Sequence, residues 1–343
     1  MNYLVLRLSA LGDVAMAIPV IHTLAKEYPA HRFTVVSTPL VTPLFQGFDN
    51  INFIAVEKNG RHKGVTGIFR LYGDLRKEKI DCVADLHDVL RTKLLRALFF
   101  LSGKRIRVID KGRKEKRALI KRGYRQSNPL RHSVERYRQV FFDLGLNVPD
   151  EVKITLPDSV QAEKEMEEII GKKTGYWIGI APFSQHKGKQ LPMPTVDTVI
   201  HTLNEDASIT LFIFGAGSQE KKQVEEWKKK YPAIISVIDR FEIDREVLLM
   251  RQLDVMLTMD SSNMHLASLV GTRVVSVWGA THPYAGFYGM GQSLADAVEV
   301  ELSCRPCSVY GYKPCQFGTY ACMMRIQPAS VVEKLIQNRV YIE

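Results

Sequence analysis

Leu4-Val5-Leu6-Arg7-Leu8-Ser9-Ala10-Leu11-Gly12-Asp13-Val14-Ala15-Met16 is the stretch that decides the fold. Residues 3–8 read as a β-strand, Gly12 permits a tight turn, and a helical period follows over 13–28. A strand passing straight into a helix begins a parallel α/β unit. The rhythm continues outward, with strands expected at 33–37, 53–56, 82–86 and 106–109. Helices are expected at 65–79, 89–102 and 133–144. A second series carries strands at 176–181, 210–214, 234–238, 255–259 and 274–277. Its helices fall at 159–171, 194–204, 217–230, 244–251 and 263–270, and an amphipathic stretch over 328–338 closes the chain. Between the series lies a turn-rich segment, 147–158, holding Pro149, Asp150, Pro157 and Asp158. The expected organisation is an amino-terminal parallel α/β domain, 1–155, and a carboxy-terminal one, 156–325. Segment 326–343 is expected to be a helix packing back on the first domain. Ligands of open parallel sheets bind beyond the carboxyl ends of the strands, so a cleft between two such domains is the expected site.

Composition narrows the function classes. Of 343 residues 45% are hydrophobic and 24% charged, which excludes a disordered or collagen-like chain. Forty-seven Lys and Arg against 37 Asp and Glu give a net charge of +10, which points to an anionic partner. The most lipophilic run, 94–101, is short and contains Arg96, so a spanning helix is not expected. The first residues lack the pattern of a signal peptide, and a cytoplasmic location is expected. That location argues against disulfides among the five cysteines; Cys82, in an apolar run, reads as a buried thiol.

Five segments could carry chemistry. Asp13, beside the first turn, reads either as a helix cap worth ~1 kcal/mol or as a carboxylate able to accept a proton. Only Gly12 of the dinucleotide fingerprint is present there, and Gly215-Ala216-Gly217-Ser218-Gln219-Glu220 lacks its third glycine, which weakens a dehydrogenase reading. The loop 181–192 carries Ser184, His186, Lys187 and Lys189; such ammonium groups suit a phosphate, or simply solvate a loop. In Met259-Asp260-Ser261-Ser262-Asn263-Met264-His265 a strand gives way to a helix start, a ready anion site unless the hydroxyls only cap it and His265 only packs. Segment 104–125 holds eleven Lys or Arg and only Asp110 and Glu115 as acids. It is either a solvated face or a docking surface for anionic lipid or nucleic acid. Cys304, Cys307, Cys315 and Cys322 have spacing compatible with a structural zinc, or with free thiols packing a loop.

Taken together the motifs resemble glycosyltransferase family 9, the heptosyltransferases of lipopolysaccharide core synthesis. The resemblance rests on Ser9-Ala10-Leu11-Gly12-Asp13-Val14, on Asp260-Ser261-Ser262-Asn263-Met264-His265-Leu266-Ala267, and on Val277-Trp278-Gly279-Ala280-Thr281-His282-Pro283. The Cys304-Arg305-Pro306-Cys307 tail is similar too, and the motifs run in the expected order along essentially the whole chain. It implies a GT-B fold, two Rossmann-like domains facing a central cleft, and inverting transfer from a nucleotide-diphosphate sugar, by family default ADP-heptose. It implies no catalytic metal and no required cofactor. The implied acceptor is an anionic lipid-linked saccharide, reached at the inner face of the cytoplasmic membrane, with residues 104–125 as the peripheral membrane contact and no nucleic acid as partner. In the family's pattern Asp13 matches the general base and Lys189 the lysine on the donor phosphates. Asp260 matches the acid that holds donor sugar hydroxyls. Ser184, Ser261, Ser262, Asn263 and His265 fall at the donor site, Glu220 near the nucleoside ribose, and Arg61, Lys63 and Arg91 on the acceptor side. Ser262 stands where members usually carry glycine. Two rival readings are a sugar-nucleotide epimerase of the same fold and a basic nucleic-acid-binding module.

Overall fold

The structure is a computed structural model that describes residues 1–122, 128–156 and 160–339. Pro157 and Asp158 of the expected linker, and Arg125 of the basic run, lie outside the described residues. The chain divides into two compact units, Met1–Lys111 with Arg131–Asp158, and Gly112–Leu130 with Ser159–Glu343.

The first unit is built on β1 (Asn2–Leu6), β2 (Arg32–Ser37), β3 (Ile51–Ala55), β4 (Cys82–Asp85) and β5 (Arg105–Val108). They form one parallel sheet in the order β3-β2-β1-β4-β5. Every residue of β1 is buried, as befits a central strand covered on both faces. Helix α1 (Leu11–Glu27) follows β1, and α2 (Gly64–Arg76) and α3 (Leu90–Leu101) bracket β4. Ile68, Leu71, Leu75, Leu95 and Phe99 bury the inner faces of α2 and α3 against Leu4, Leu6 and Val83 of the sheet. The chain leaves β1 for β2 on one side and enters β4 on the other. Their carboxyl ends are therefore the switch point, where open sheets bind ligands. Asp13 follows the end of β1 and His87 the end of β4.

Helix α4 (Arg113–Arg122) belongs to the second unit, and α5 (Ser133–Phe142) packs on α1 in the first. The second unit continues through α6 (Val160–Ile170), β6 (Tyr176–Ala181), α7 (Met193–Asn204), β7 (Ile209–Ile213), α8 (Gly217–Lys230), β8 (Ile235–Ser236), α9 (Ile243–Gln252), β9 (Val255–Met259), α10 (Ser262–Leu269), β10 (Arg273–Trp278), β11 (Ala297–Glu299), α11 (Ala321–Met324) and α12 (Pro328–Ile336). Its parallel sheet runs β11-β10-β9-β6-β7-β8, with the switch between β6 and β9. Lys189 and Asp260 follow the carboxyl ends of those two strands.

The closing helix α12 joins the core of the second unit: Val331 and Leu335 are fully buried in one cluster with Val199 and Ile200 of α7 and Leu257 of β9. Its apolar stripe is satisfied there. The basic run is divided between the units. In the second unit Leu119 is buried, and the buried Lys116 ammonium lies 5.4 Å from the Phe287 ring centre and 5.8 Å from that of Tyr310.

Burial in the first unit has a pH signature. His22 is enclosed, its Nδ1 accepts the Thr155 N–H at 3.1 Å, and burial lowers its pKa to about 3. An unfolded imidazole titrates near ~6.5. Below that pH the unfolded chain takes up a proton that the native chain refuses until about pH 3. The stability contributed is full above the unfolded value and is lost as pH falls. Between pH 7 and 5 the His22 share is about 2 kcal/mol. The thermal midpoint should fall over that interval, and His22→Gln, an uncharged acceptor, should flatten the slope; identical slopes in the two proteins would remove His22 as the cause.

Candidate functional site

In the first unit the chain leaves β1 at Leu6 and turns through Arg7–Ala10 into α1. Ala10 is the N-cap, no side chain caps the helix, and Asp13 is the third helical residue. The capping reading of Asp13 is therefore replaced by another arrangement. Its carboxylate forms an ion pair with the buried Arg7 guanidinium. Arg7 Nη1 also donates to the Leu86 carbonyl at 2.6 Å, and its guanidinium lies over the Tyr137 ring at 5.9 Å. The Tyr137 hydroxyl in turn donates to the Asp13 carbonyl at 3.3 Å. Backbone and carboxylate of Asp13 are both held, while its side chain stays 40% exposed and open to a ligand.

The turn after β4 completes this edge. Asp85 is fully buried, and its Oδ1 accepts the N–H groups of His87 and Asp88 at 2.9 Å each. Arg96 bridges Asp85 and Asp88 at 3.1 and 3.2 Å. The turn so shaped brings His87 Nδ1 to the Leu8 N–H at 3.3 Å, tying the exits of β1 and β4 together. Burial first, then the charges of Arg7 and Lys111, lower the His87 pKa to about 3, so the ring is neutral. Burial, then Arg91 and Arg7, also lower that of Lys58. Asp13 thus lies among cations, an environment suited to an anionic acceptor. Of the expected acceptor residues, Arg91 donates to the His62 carbonyl, Arg61 pairs with Asp74 at 2.8 Å, and Lys63 stands exposed at the N-cap position of α2.

The second unit gathers the residues expected on the donor side. Lys189 lies in a short turn, Lys187–Lys189, with Nζ 3.0 Å from Asp260 Oδ2. The same oxygen accepts the Thr281 hydroxyl at 2.8 Å, and Asp260 is buried. The Ala280 N–H donates to the Gly188 carbonyl at 2.8 Å. A Cβ on Gly279 would stand 2.4 Å from that carbonyl oxygen and 2.3 Å from Met323 Sδ, so only glycine lets the two loops meet. The Ser184 N–H donates to Gln190 Oε1 at 3.0 Å and closes the loop on itself. Asp260 leads into α10, where Ser261 is the N-cap without capping through its side chain. Its Oγ is buried with no hydrogen-bond partner among the described residues. Ser262 and Asn263 occupy the first turn, and His265 is buried one turn on. Amide groups at such a helix start favour an anion. Glu220, expected near a ribose, reaches back with Oε2 to the Ala216 N–H at 2.7 Å and closes the start of α8.

A family model described as Glycosyltransferase family 9 (heptosyltransferase) matches residues 68–318. The chain belongs to glycosyltransferase family 9. A lipooligosaccharide heptosyltransferase 2 of Campylobacter jejuni is 26% identical over 331 residues, 94% of each chain. Among solved structures, a glycosyltransferase family 9 protein of Veillonella parvula superposes with a TM-score of 0.74 at 20% identity, covering 98% of both chains. An ADP-heptose lipopolysaccharide heptosyltransferase II of Escherichia coli gives 0.70 at 18% identity, over 99% of this chain and 100% of that one. The fold of this glycosyltransferase is accordingly GT-B.

In this family 9 chain the tail motif has a structural task. Arg305 is buried and donates to the carbonyls of Val300 at 2.7 Å and Thr281 at 3.2 Å, to Gly279, and to the Glu299 carboxylate at 2.9 Å. It clamps the strand exit that presents Thr281 to Asp260. Cys304, Cys307, Cys315 and Cys322 line one small cavity beside it, with Phe317 and Tyr320. Burial pushes the Cys307 and Cys322 thiols up, whereas backbone amides, that of Tyr320 first, draw Cys315 down. Among the described residues no three His, Cys, Asp or Glu side chains are gathered to hold a metal ion, so the zinc expectation finds no donor set. Among the same residues no helix is long and apolar enough to cross a membrane.

Sequence reasoning missed Arg7, His87 and Tyr137 as neighbours of Asp13. The one legible signal was a charged Arg7 inside an apolar strand, a position a soluble strand fills only when the charge has a partner.

Proposed function

We propose that the protein transfers a heptose from ADP-heptose to an anionic, lipid-linked saccharide of the lipopolysaccharide core, with inversion at the anomeric carbon. The observation that carries this reading is the cluster that the half-buried Lys189 forms with the buried Asp260 and Thr281 at the start of α10, in a family 9 chain. The donor specified in the name of the Escherichia coli neighbour, ADP-heptose, supports the choice of sugar nucleotide. In the step proposed, Asp13 takes the proton of the acceptor hydroxyl as that oxygen bonds to the anomeric carbon. The bond from that carbon to the diphosphate oxygen breaks, and the electron pair leaves with the diphosphate. Lys189 and the amide and hydroxyl groups of 261–263 meet the charge that develops there. Asp260 holds donor hydroxyls, Arg61, Lys63 and Arg91 meet the acceptor's acidic groups, and the protein works as a peripheral protein at the inner face of the cytoplasmic membrane.

Purified protein is to be incubated with ADP-heptose and a heptose-free Kdo–lipid A acceptor. ADP release matched by one added heptose per acceptor, with inverted configuration by NMR, is the expected result. A thermal shift with ADP-heptose should precede it, since a ligand bound only by the native form raises apparent stability. Absence of both, or epimerised sugar nucleotide formed from a UDP-sugar alone, would overturn the reading.

A further inference from the structure

The outer faces of α2 and α3 carry what the transfer chemistry does not use. Both helices bury their inner faces against the first sheet. Tyr72 of α2 locks them side by side: its ring sits edge-on to Phe99 of α3 at 5.0 Å, and its hydroxyl reaches the Leu98 carbonyl at 3.3 Å and the Ser102 hydroxyl at 2.6 Å. The two opposite faces therefore look outward together. On α2 they expose Val65 and Phe69, 61% and 51% accessible; on α3 they expose Leu90, Phe100 and Leu101, 85%, 70% and 82% accessible. Leu90, Ala97, Phe100 and Leu101 fall at helical spacing on one exposed side of α3, with Lys93 among them, opposite the stripe the helix buries. A single exposed leucine needs no account, but five large apolar side chains on two adjoining helices form a patch that calls for an occupant.

Charge identifies the occupant. Lys93 of α3 and Arg70 and Arg76 of α2 are exposed, whereas Arg96 is paired with Asp85 and Asp88 and Arg91 is bound to the His62 carbonyl; the two helices carry Asp74 as their one acid. Asp74 is engaged by Arg61 at 2.8 Å. An apolar ridge edged by unbalanced cations matches an anionic lipid leaflet, where apolar side chains enter the acyl boundary and cations meet the headgroups. The run 104–125 is the weaker surface, because its Lys116 is buried and spent on Phe287 and Tyr310.

We propose that the α2–α3 face docks the protein on the surface of an anionic phospholipid leaflet. The inference deepens the peripheral-membrane part of the reading above but stands on the first unit alone. The test is co-sedimentation of the full chain with vesicles of phosphatidylcholine alone or mixed with phosphatidylglycerol. Binding should need phosphatidylglycerol and weaken as salt rises. F100S/L101S, which changes two exposed side chains, should reduce partitioning roughly tenfold or more, and K93E/R76E should do the same. Both variants should keep the wild-type circular dichroism spectrum and thermal midpoint, and their turnover on a soluble acceptor fragment. Failure of the wild type to bind phosphatidylglycerol vesicles would overturn the proposal, as would wild-type binding by both variants. A concentration-dependent dimer abolished by F100S/L101S without any change in vesicle binding would overturn it too, assigning the face to a second copy. Loss of vesicle binding with soluble-acceptor turnover intact separates this proposal from the transfer reading, which fails only if that turnover is absent in the wild type.

Discussion

Asp13→Asn should lower turnover by about 100- to 10,000-fold, the span a positioned general base contributes. Asn matches Asp in size and still offers an oxygen to the Arg7 guanidinium, so the start of α1 should survive. What it cannot do is take a proton from an attacking hydroxyl. Arg7 keeps its bond to the Leu86 carbonyl and its place over Tyr137, which limits the structural damage. The decisive measurement pairs turnover with calorimetric donor binding. Donor affinity should stay within about threefold while the rate collapses, because Asp13 and the donor-side residues Lys189 and Asp260 belong to different units. A variant that turns over near the wild-type rate would strip Asp13 of the role.

Lys189→Ala should cost both rate and stability, and the two can be separated. If Lys189 meets the developing charge as proposed, removing it lowers the rate by about 100- to 1,000-fold. The same change leaves the Asp260 carboxylate buried without its ammonium partner, which costs ~3–5 kcal/mol, toward the lower end here because the Thr281 hydroxyl remains. The double variant Lys189→Ala/Asp260→Asn removes the orphaned charge. It should recover most of the thermal midpoint lost in the single variant and none of the rate. A double variant as unstable as the single one would mean that the ion pair is not what holds this loop. Unchanged kinetics in Lys189→Ala would remove the lysine from the reaction.

Much of the fold was legible, because most strands and helices announce themselves over a few residues. The strands 176–181 and 255–259 and the helix 217–230 fall where their periods place them. Helix α4 was not legible. Its sequence reads as solvated charge, and its reason to fold lies far along the chain, in Phe287 and Tyr310. Strand β11 was missed because three residues carry no period. At the site, residue types following strand ends could be read locally, which is how Asp13, Lys189 and Asp260 stood out. Their pairings could not: nothing in spacing couples Lys189 to Asp260 and Thr281, or His87 to the amide of Leu8. The cap reading of Asp13 failed for the same reason, since Ala10 takes that position and the competing partner, Arg7, precedes the helix.

Segment 112–130 interrupts the first unit and builds part of the second. Neither unit is a contiguous gene fragment. A chimera that exchanges carboxy-terminal halves at residue 158 would graft a foreign half onto a native α4. Lys116 would then meet whatever that half offers in place of Phe287 and Tyr310, so recombinants between distant homologues should express soluble enzyme only when 112–130 travels with its own half.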